Sequence, residues 1–341
     1  MKTHYLLLYV LISMLMTTGC QWTSKPAAPE LTFHNECLSP LPAPPRNQGQ
    51  AESCWGYSMT ARLENRLMLC GDTIALSPWF ITRKAYEEAA LRAWQDKARK
   101  VSIRGMGHTF LSLAGRYGIV PQDEYPCRPR TRLKDMNREL ADLLKQHRKD
   151  TDSGKQFLQE VNAILDRYMG TLPERVGRDS LSLSPLEYYH RLTAGMPEVK
   201  RLTSFQYTPY NQELVLDYPD NYERKSFMNL PLDSLCRIAE QTVKKGGTVV
   251  WEGDTSNNGF YWREGLAIWH DAPVSPDDRE NNYRRGHLDD NHTLLLVGWA
   301  TDNEGRPYFV AQNSWGTNNR YHGLMYMSLD YFRMWTVALF L

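Results

Sequence analysis

The sequence predicts an α+β fold in which a helical lobe and a β-rich lobe face each other across a cleft. Residues 46–127 carry apolar side chains at helical spacing with few helix breakers. Residues 201–341 carry short apolar runs separated by turn residues, a pattern typical of strands. Because helices come first and strands second, the two kinds of element are expected to form separate lobes. The 341 residues, 42% of them hydrophobic, are enough for a core of this size.

Residues 1–20 are predicted to be a targeting segment and not part of the fold. A basic start precedes an apolar run from Tyr5 to Met16, which is too short to span a bilayer and suits a signal-peptide core. Cys20 resembles the lipidated cysteine of bacterial lipoproteins, which implies a membrane anchor; an ordinary secretory peptide cut nearby is the alternative. Gln21, in place of an aspartate, implies an exported outer-membrane lipoprotein within that resemblance.

A proline-rich stretch, residues 21–45, follows and is predicted to be a flexible tether. The folded domain is then expected to cover residues 46–341. Its net charge is +1, which gives no reason to expect a nucleic acid partner.

Helices are predicted for Trp55 to Leu69, for residues 76–98 and for residues 107–118, the last ending at Gly118 as a C-cap. Residues 128–200 differ, because the run RTRLKDMNRELADLLKQHRKD combines many charges with leucines at helical intervals. Acidic residues alternate with basic ones there, so we interpret this region as a solvated helical insertion and not as a nucleic-acid or membrane contact.

Strands are predicted for six apolar runs in the second half of the chain. They are ELVLDY, GTVVWEG, HTLLLVGWA, PYFVAQNS, GLMYMS and TVALFL. The intervening segment SPDDRENNYRRGHLDDN is polar and is predicted to be an exposed loop.

A cysteine nucleophile needs a base, and the base needs a group that orients it. Among nine histidines, His292 opens the strand HTLLLVGWA, and the turn TDNEGR leads to the strand YFVAQN. Simple hairpin pairing about this turn places Asn313 opposite His292, where its side chain can fix the imidazole tautomer. Cys54 is expected at the start of a helix, whose free N–H groups and dipole favour a thiolate. Gln48 can donate to an oxyanion beside the N–H of Cys54.

These residues, in this order, resemble the papain-like cysteine peptidases: Gln48, then Cys54 followed by Trp55, a distant His292, and NSWGT at 313–317. The resemblance implies a papain-like two-lobed fold and an acyl-enzyme mechanism without metal or organic cofactor. Cys54 is then the nucleophile, His292 the general base and acid, and Gln48 the oxyanion-hole donor.

The same resemblance implies that Asn313 orients the histidine and that Trp315 shields their contact. It also assigns substrate-binding roles to Trp55, Trp315 and Gly105, with Gly107 as the alternative alignment for the glycine that bonds the substrate backbone.

A narrower resemblance, to the bleomycin hydrolase and aminopeptidase C branch, rests on LSPWFITRKAYEEA, YGIVPQDEYP, LTSFQYTPYNQELVLDYPDN, NLPLDSL and GGTVVWEGDTSNNGF. It covers Arg46 to the C-terminus and implies a helical insertion between the two halves of the fold, aminopeptidase activity and a hexamer. Three positions depart from the branch. Arg104 replaces a glycine and is expected to narrow the cleft, and Thr293 follows the histidine where the branch usually has a small residue. The sequence also ends at Leu341 without the branch's C-terminal arm. Endopeptidase activity is therefore also expected, and homo-oligomerisation stays open.

The remaining cysteines determine whether disulfides are expected. If Cys20 is lipidated and Cys54 is catalytic, four cysteines remain: Cys37, Cys70, Cys127 and Cys236. In an exported protein these four can form up to two disulfides, and Cys70–Cys127 is one candidate pair. No Cys-x-x-Cys motif occurs, so neither a thiolate zinc site nor a redox motif is expected.

The sequence thus predicts a lipid-anchored cell-envelope cysteine peptidase acting on peptides. Two alternatives remain open: a catalytically impaired peptide-binding lipoprotein, and another Cys–His acyl transferase.

Overall fold

The computed structural model describes residues 27–128, 131–149, 154–177, 182–269, 271 and 273–341. The signal peptide predicted for residues 1–20, with its lipidation site Cys20, lies outside the described residues. The helices are α1 (Cys54–Leu69), α2 (Pro78–Gln95), α3 (Gly107–Tyr117), α4 (Leu133–Gln146), α5 (Lys155–Met169), α6 (Pro185–Thr193), α7 (Leu232–Lys244), α8 (Pro276–Arg284) and α9 (Leu329–Trp335). The strands are β1 (Phe33–Leu38), β2 (Arg201–Thr203), β3 (Gln212–Val215), β4 (Ser226–Asn229), β5 (Val249–Gly253), β6 (Phe260–Tyr261), β7 (Leu266–Ala267), β8 (His292–Asp302), β9 (Pro307–Gln312), β10 (Leu324–Ser328) and β11 (Thr336–Phe340).

Helix α1 is the centre of the molecule. It packs against β8 on one side and against α3 on another, and it also contacts α2 and β5. Residues around most of its circumference are therefore buried, including polar ones such as Thr60, Glu64 and Asn65. A helix that is buried on all sides belongs to the core and not to the surface. Its first residue is Cys54, so the packing of α1 fixes the position of the predicted nucleophile.

Helices α4, α5 and α6 lie in the predicted insertion. The insertion is attached to the rest of the helical half through α5, which packs against α2 and α4. Arg83 on α2 is 1% exposed and donates hydrogen bonds to Asn162 Oδ1 at 2.8 Å and to Asp166 Oδ1 at 2.9 Å, both on α5. A buried guanidinium without such acceptors would be strongly destabilising, so these bonds hold the insertion in place.

The β half is one sheet with the strand order β3-β4-β2-β11-β5-β8-β9-β10-β7-β6, and β1 pairs with β8. All six predicted runs contain strands. The central strand β8 is almost completely buried, and it pairs antiparallel with β5 and β9. Its first residue is His292, so the two predicted catalytic residues each begin an element of the core.

The flexible tether predicted for residues 21–45 is wrong where β1 forms. Strand β1 pairs antiparallel with β8, and the Phe33 ring stacks on Tyr326 with ring centroids 3.8 Å apart. The prolines on either side of this segment mask the strand pattern of Phe33 and Leu38 in the sequence.

The exposed loop predicted around residues 275–291 contains helix α8. Ser275 and Asp278 form a reciprocal capping box, and Pro276 occupies the first turn. Arg279 is 2% exposed and Glu280 is 3% exposed, so one side of this polar helix is buried. The Ser-Pro-x-Asp signal in the sequence would have predicted the helix.

The disulfide expectation is also wrong for the described cysteines. Cys37, Cys54, Cys70, Cys127 and Cys236 are all unpaired, and Cys127 Sγ instead lies 3.4 Å from the Tyr57 hydroxyl.

Among the described residues, no helix is long and apolar enough to cross a membrane.

Glu64 is expected to be a main determinant of stability. Its side chain is 1% exposed, pairs with Arg46 at 2.5 Å and accepts from the N–H of Leu76 at 2.6 Å. Glu64→Gln should lower the free energy of unfolding by about 3 kcal/mol, because it leaves a buried guanidinium without its counter-ion. Denaturant unfolding measures the change. Glu304→Gln breaks an exposed ion pair with Arg306 and should cost less than about 1 kcal/mol; equal losses would contradict the expectation.

Candidate active site

A cavity of about 270 Å³ lies between the two halves of the molecule and contains the predicted catalytic residues. The helical half contributes the chain leading into α1 and the segment before α3, and the β half contributes the chain leading into β8 and the residues after β9. The lining residues are Gln48, Gly49, Gln50, Ala51, Glu52, Cys54, Trp55, Arg104, Gly105, Asp220, Asp290, Asn291, His292, Thr293 and Trp315. Cys54 and His292 thus reach one cavity from opposite walls.

The start of α1 leaves hydrogen-bond donors available at the cavity. Ser53 is the N-cap residue, yet its side chain makes no capping bond. The first N–H groups of a helix have no intrahelical acceptor, so the N–H of Cys54 is available to a ligand. Trp55 is fully buried, and its Nε1 donates to the carbonyls of Glu52 at 3.2 Å and Ile103 at 3.1 Å. Trp55 therefore fixes the segment before α3 beside the predicted nucleophile.

The environment of the Cys54 thiol favours the protonated form. The residue keeps partial access to the cavity, but protein atoms surround the sulfur, and this burial raises the pKa of Cys54 to about 11. Hydrogen bonds from Thr293 act in the opposite direction, and the carboxyl groups of Asp290 and Glu252 raise the pKa further. The thiolate expected from the helix start is therefore not favoured in the free protein, because burial outweighs the helix terminus.

The predicted contact between His292 and Asn313 is present. His292 Nε2 lies 2.8 Å from Asn313 Oδ1, and the same oxygen accepts from the N–H of Ser314 at 2.7 Å. Because a backbone N–H also bonds it, the atom is the amide oxygen, and His292 must donate from Nε2. The neutral imidazole then has its lone pair on Nδ1, which is free to accept a proton.

The hairpin register that predicted this contact is wrong by two residues. Gln312 pairs with Leu295, and an irregularity between Leu296 and Gly298 shifts the rest of the ladder. If the pairing of Gln312 with Leu295 continued by one residue, Asn313 would lie opposite Leu294. Side chains two residues apart on a strand share a face, so His292 is the diagonal neighbour of Asn313, and the side chains still meet.

His292 is 5% exposed, and burial lowers its pKa to about 4, opposed by the hydrogen bond to Asn313. Trp315 covers this contact, with its ring 4.7 Å from the imidazole and in edge contact with Trp262 at 5.3 Å and Phe260 at 5.8 Å. Burial thus favours the neutral forms of both groups, with one proton on the Cys54 sulfur and one on His292 Nε2.

Gln48 is 7% exposed and is held by Ser314. Its backbone N–H donates to the Ser314 carbonyl at 2.8 Å, and its Oε1 accepts from the Ser314 hydroxyl. Nε2 donates to the carbonyl of Ala51 at 2.5 Å, which uses one of its two hydrogens. Ser314 therefore connects Gln48 to Asn313, a positioning role that the sequence interpretation missed although the residue is part of the quoted motif.

The structure separates the two candidate glycines. Gly105 lines the cavity, and a side chain there would lie 2.7 Å from Thr109 Oγ1. Gly107 begins α3, and its N–H donates to Glu252 Oε1 at 2.6 Å away from the cavity lining. Gly105 is thus the glycine placed to contact a ligand.

Arg104 lines the cavity at the position where a narrower cleft is expected. Its Nε lies 3.0 Å from both carboxylate oxygens of Asp220, and Nη2 donates to the carbonyl of Asp290 at 2.8 Å, so the side chain bridges the two walls. The sequence interpretation missed the buried carboxyl groups of Asp220, Glu252 and Asp290. The fold reveals them: Asp220 bonds Arg104, Glu252 pairs with Thr293 across the sheet, and Asp290 lines the cavity two residues before His292. Among the described residues, no group of three or more His, Cys, Asp or Glu side chains has the arrangement of a metal site.

Comparison with known proteins supports the interpretation of the chain as a cysteine peptidase. Residues 277–337 match the family model described as papain family cysteine protease. The matched segment contains His292 and Asn313 and does not contain Cys54. The chain has no significant match among curated proteins.

Among solved structures, the chain resembles PepW from Lactobacillus rhamnosis, with a TM-score of 0.72 and 17% identity over 91% of this chain and 82% of that chain. Procathepsin L 3 from the larval midgut of Tenebrio molitor matches with a TM-score of 0.44 and 16% identity, over 93% of this chain and 71% of that chain. The chain has a papain-like α+β fold, and the partial family match supports a cysteine peptidase.

The reactivity of Cys54 in the free protein should follow from its burial. With a thiol pKa of about 11, alkylation by iodoacetamide should be slow at pH 7 and should increase with pH into the alkaline range. Peptide mapping by mass spectrometry identifies the modified cysteine. The same residue in urea-unfolded protein should titrate at about pH 8.5 and serves as the control. A rate that is already constant below pH 6 would show a thiolate–imidazolium pair and contradict the expectation.

Proposed function

We propose that this protein is a cysteine peptidase that hydrolyses peptide bonds through an acyl-enzyme on Cys54. The observation that carries the proposal is the hydrogen bond from His292 Nε2 to Asn313 Oδ1, because it leaves Nδ1 as the free base in the cavity that also contains the thiol. The partial family match and the fold shared with PepW support the same chemistry.

The proposed reaction begins when a peptide carbonyl enters the cavity. Cys54 Sγ attacks the carbonyl carbon while its proton passes to His292 Nδ1, and a tetrahedral oxyanion forms. The N–H of Cys54 and the second hydrogen of Gln48 Nε2 are the donors proposed for this oxyanion. His292 then gives its proton to the leaving amine, and a thioester remains on Cys54. Water, deprotonated by His292, releases the acid and restores the thiol.

The finer assignment follows the bleomycin hydrolase and aminopeptidase C branch. Its support is the set of matching segments in the sequence, together with a helical insertion that contains α4, α5 and α6. We propose aminopeptidase activity together with some endopeptidase activity. We also propose that the protein is exported and held at the cell envelope by a lipid on Cys20.

Peptide cleavage by the full-length chain in mild detergent tests the proposal. The wild type should cut a peptide with a free N-terminus, and Cys54→Ala should remove the activity, because no other group is proposed to form the thioester. The same peptide with an acetylated N-terminus separates the two specificities: cleavage of the free form alone indicates an aminopeptidase, and cleavage of both indicates endopeptidase activity. If neither is cut and Cys54 also resists alkylation at alkaline pH, a peptide-binding protein replaces the enzyme.

Asn313→Ala should reduce kcat far more than it changes KM. Without Oδ1 the imidazole loses the bond that fixes its tautomer and ring orientation, and misplacement of a catalytic group costs about 100-fold in rate. Steady-state kinetics on the same peptide measures both constants. Asn303→Ala, at an exposed position in the turn of the same hairpin, should leave them unchanged. Equal activity of the two variants would show that Asn313 does not position the base.

A further inference from the structure

We propose that Asp290, together with Asp220, forms a cation-binding subsite beside Cys54 that selects peptides with an ammonium or guanidinium group next to the scissile bond. This inference rests on the proposed peptidase function, since it names the substrates of the same cavity. The positive group is either the free N-terminus of the peptide or a lysine or arginine side chain.

The first argument is a carboxyl group without a partner. Asp290 lines the cavity and is only 4% exposed, and its Oδ2 is fully buried without a hydrogen-bond partner. Glu252, on the neighbouring strand β5, is 0% exposed, and its Oε2 also lacks a partner, although Oε1 accepts from Gly107. Buried polar groups are normally hydrogen-bonded, so the free oxygen of Asp290, a residue that lines the cavity, indicates a missing ligand.

The second argument is the local balance of charge. Of the described residues that line the cavity, Arg104 is the one with a permanent positive charge. Its guanidinium bonds the Asp220 carboxylate, but at Asp290 it reaches only the backbone carbonyl. The carboxyl groups of Asp220, Asp289 and Asp254 all act on Asp290, against this single guanidinium. The site therefore has more carboxyl groups than internal cations can neutralise.

A buried carboxyl group must bind either a proton or a cation. In the free protein a proton does this at Asp290, whose pKa is raised by burial, and the Arg104 guanidinium does it at Asp220, whose pKa burial raises to about 6. A substrate ammonium or guanidinium can replace the proton and form an ion pair in a site largely shielded from water, where the attraction is stronger than at the surface. A neutral substrate of the same shape cannot form this ion pair.

Occupation of this subsite also affects the nucleophile. Asp290 and Glu252 are among the groups that raise the pKa of Cys54, after its burial. A bound cation next to them opposes their effect on the sulfur and favours the thiolate. A cationic substrate would therefore be bound more tightly and would also meet a more reactive thiol.

Binding to the full-length Cys54→Ala chain tests the subsite without turnover. The probes are acetyl-Arg-Ala-amide, acetyl-citrulline-Ala-amide and citrulline-Ala-amide with a free N-terminus, with affinities measured by calorimetry. Citrulline keeps the shape of arginine without its charge. At least one cationic probe should bind about tenfold or more tightly than the neutral one, since a hydrogen bond to a charged group contributes about 1.5–3 kcal/mol. The two cationic probes separate side-chain recognition from N-terminal recognition.

Three further substitutions decide the assignment. Asp290→Asn should abolish the preference, and Asp217→Asn, which removes the same charge from an exposed position near Asp220, should keep it. Arg104→Gln should strengthen cation binding, because the Asp220 carboxylate loses its internal partner; Arg104 is 45% exposed, so this variant is expected to fold.

Equal binding of charged and neutral probes, or a preference that survives Asp290→Asn, would overturn the proposal. If the preference is present but the chain with Cys54 cleaves none of the corresponding peptides, the proposed peptidase function fails while the subsite stands.

Discussion

The packing of α1 against β8 is the contact on which the site depends. The nucleophile is the first residue of the helix and the base is the first residue of the strand, so no local segment of chain sets the distance between them. Burial of α1 between the sheet and the other helices supplies that constraint, and the ion pair between Glu64 and Arg46 attaches the chain leading to Gln48 to the same helix. A helix held on all sides has little freedom to shift, which suits a group that must be placed precisely.

Burial also determines the electrostatic state of the pair. Removal from water disfavours a charge on either the Cys54 thiol or the His292 imidazole, so burial raises the pKa of the thiol and lowers the pKa of the imidazole. An ion pair in the same place would gain mutual attraction but lose two hydration shells. Burial therefore favours the neutral pair in the free protein. The Asn313 hydrogen bond contributes by fixing which imidazole nitrogen accepts the proton.

The sequence predicted the fold class, the six strands in its second half and the residues of the site, because each is marked by a local pattern or a quoted motif. It predicted the meeting of His292 with Asn313 through an incorrect register, and the contact survived only because a shift of two residues preserves the face of a strand. Helix α8 was missed although its capping box is local. The carboxyl groups of Asp220, Glu252 and Asp290 were beyond prediction, since three distant segments bring them together.

These carboxyl groups would lower the reactivity of the thiol in a peptidase without substrate preference. Buried acids next to a thiol disfavour its ionisation, and a site for neutral peptides would be more reactive without them. They are neutralised only in part by Arg104, which bonds the carboxylate of Asp220 but only the backbone carbonyl of Asp290. A substrate that carries its own positive charge compensates the acids and competes with Arg104 for the carboxylate of Asp220. The arrangement therefore favours discrimination between substrates over high reactivity in the free protein.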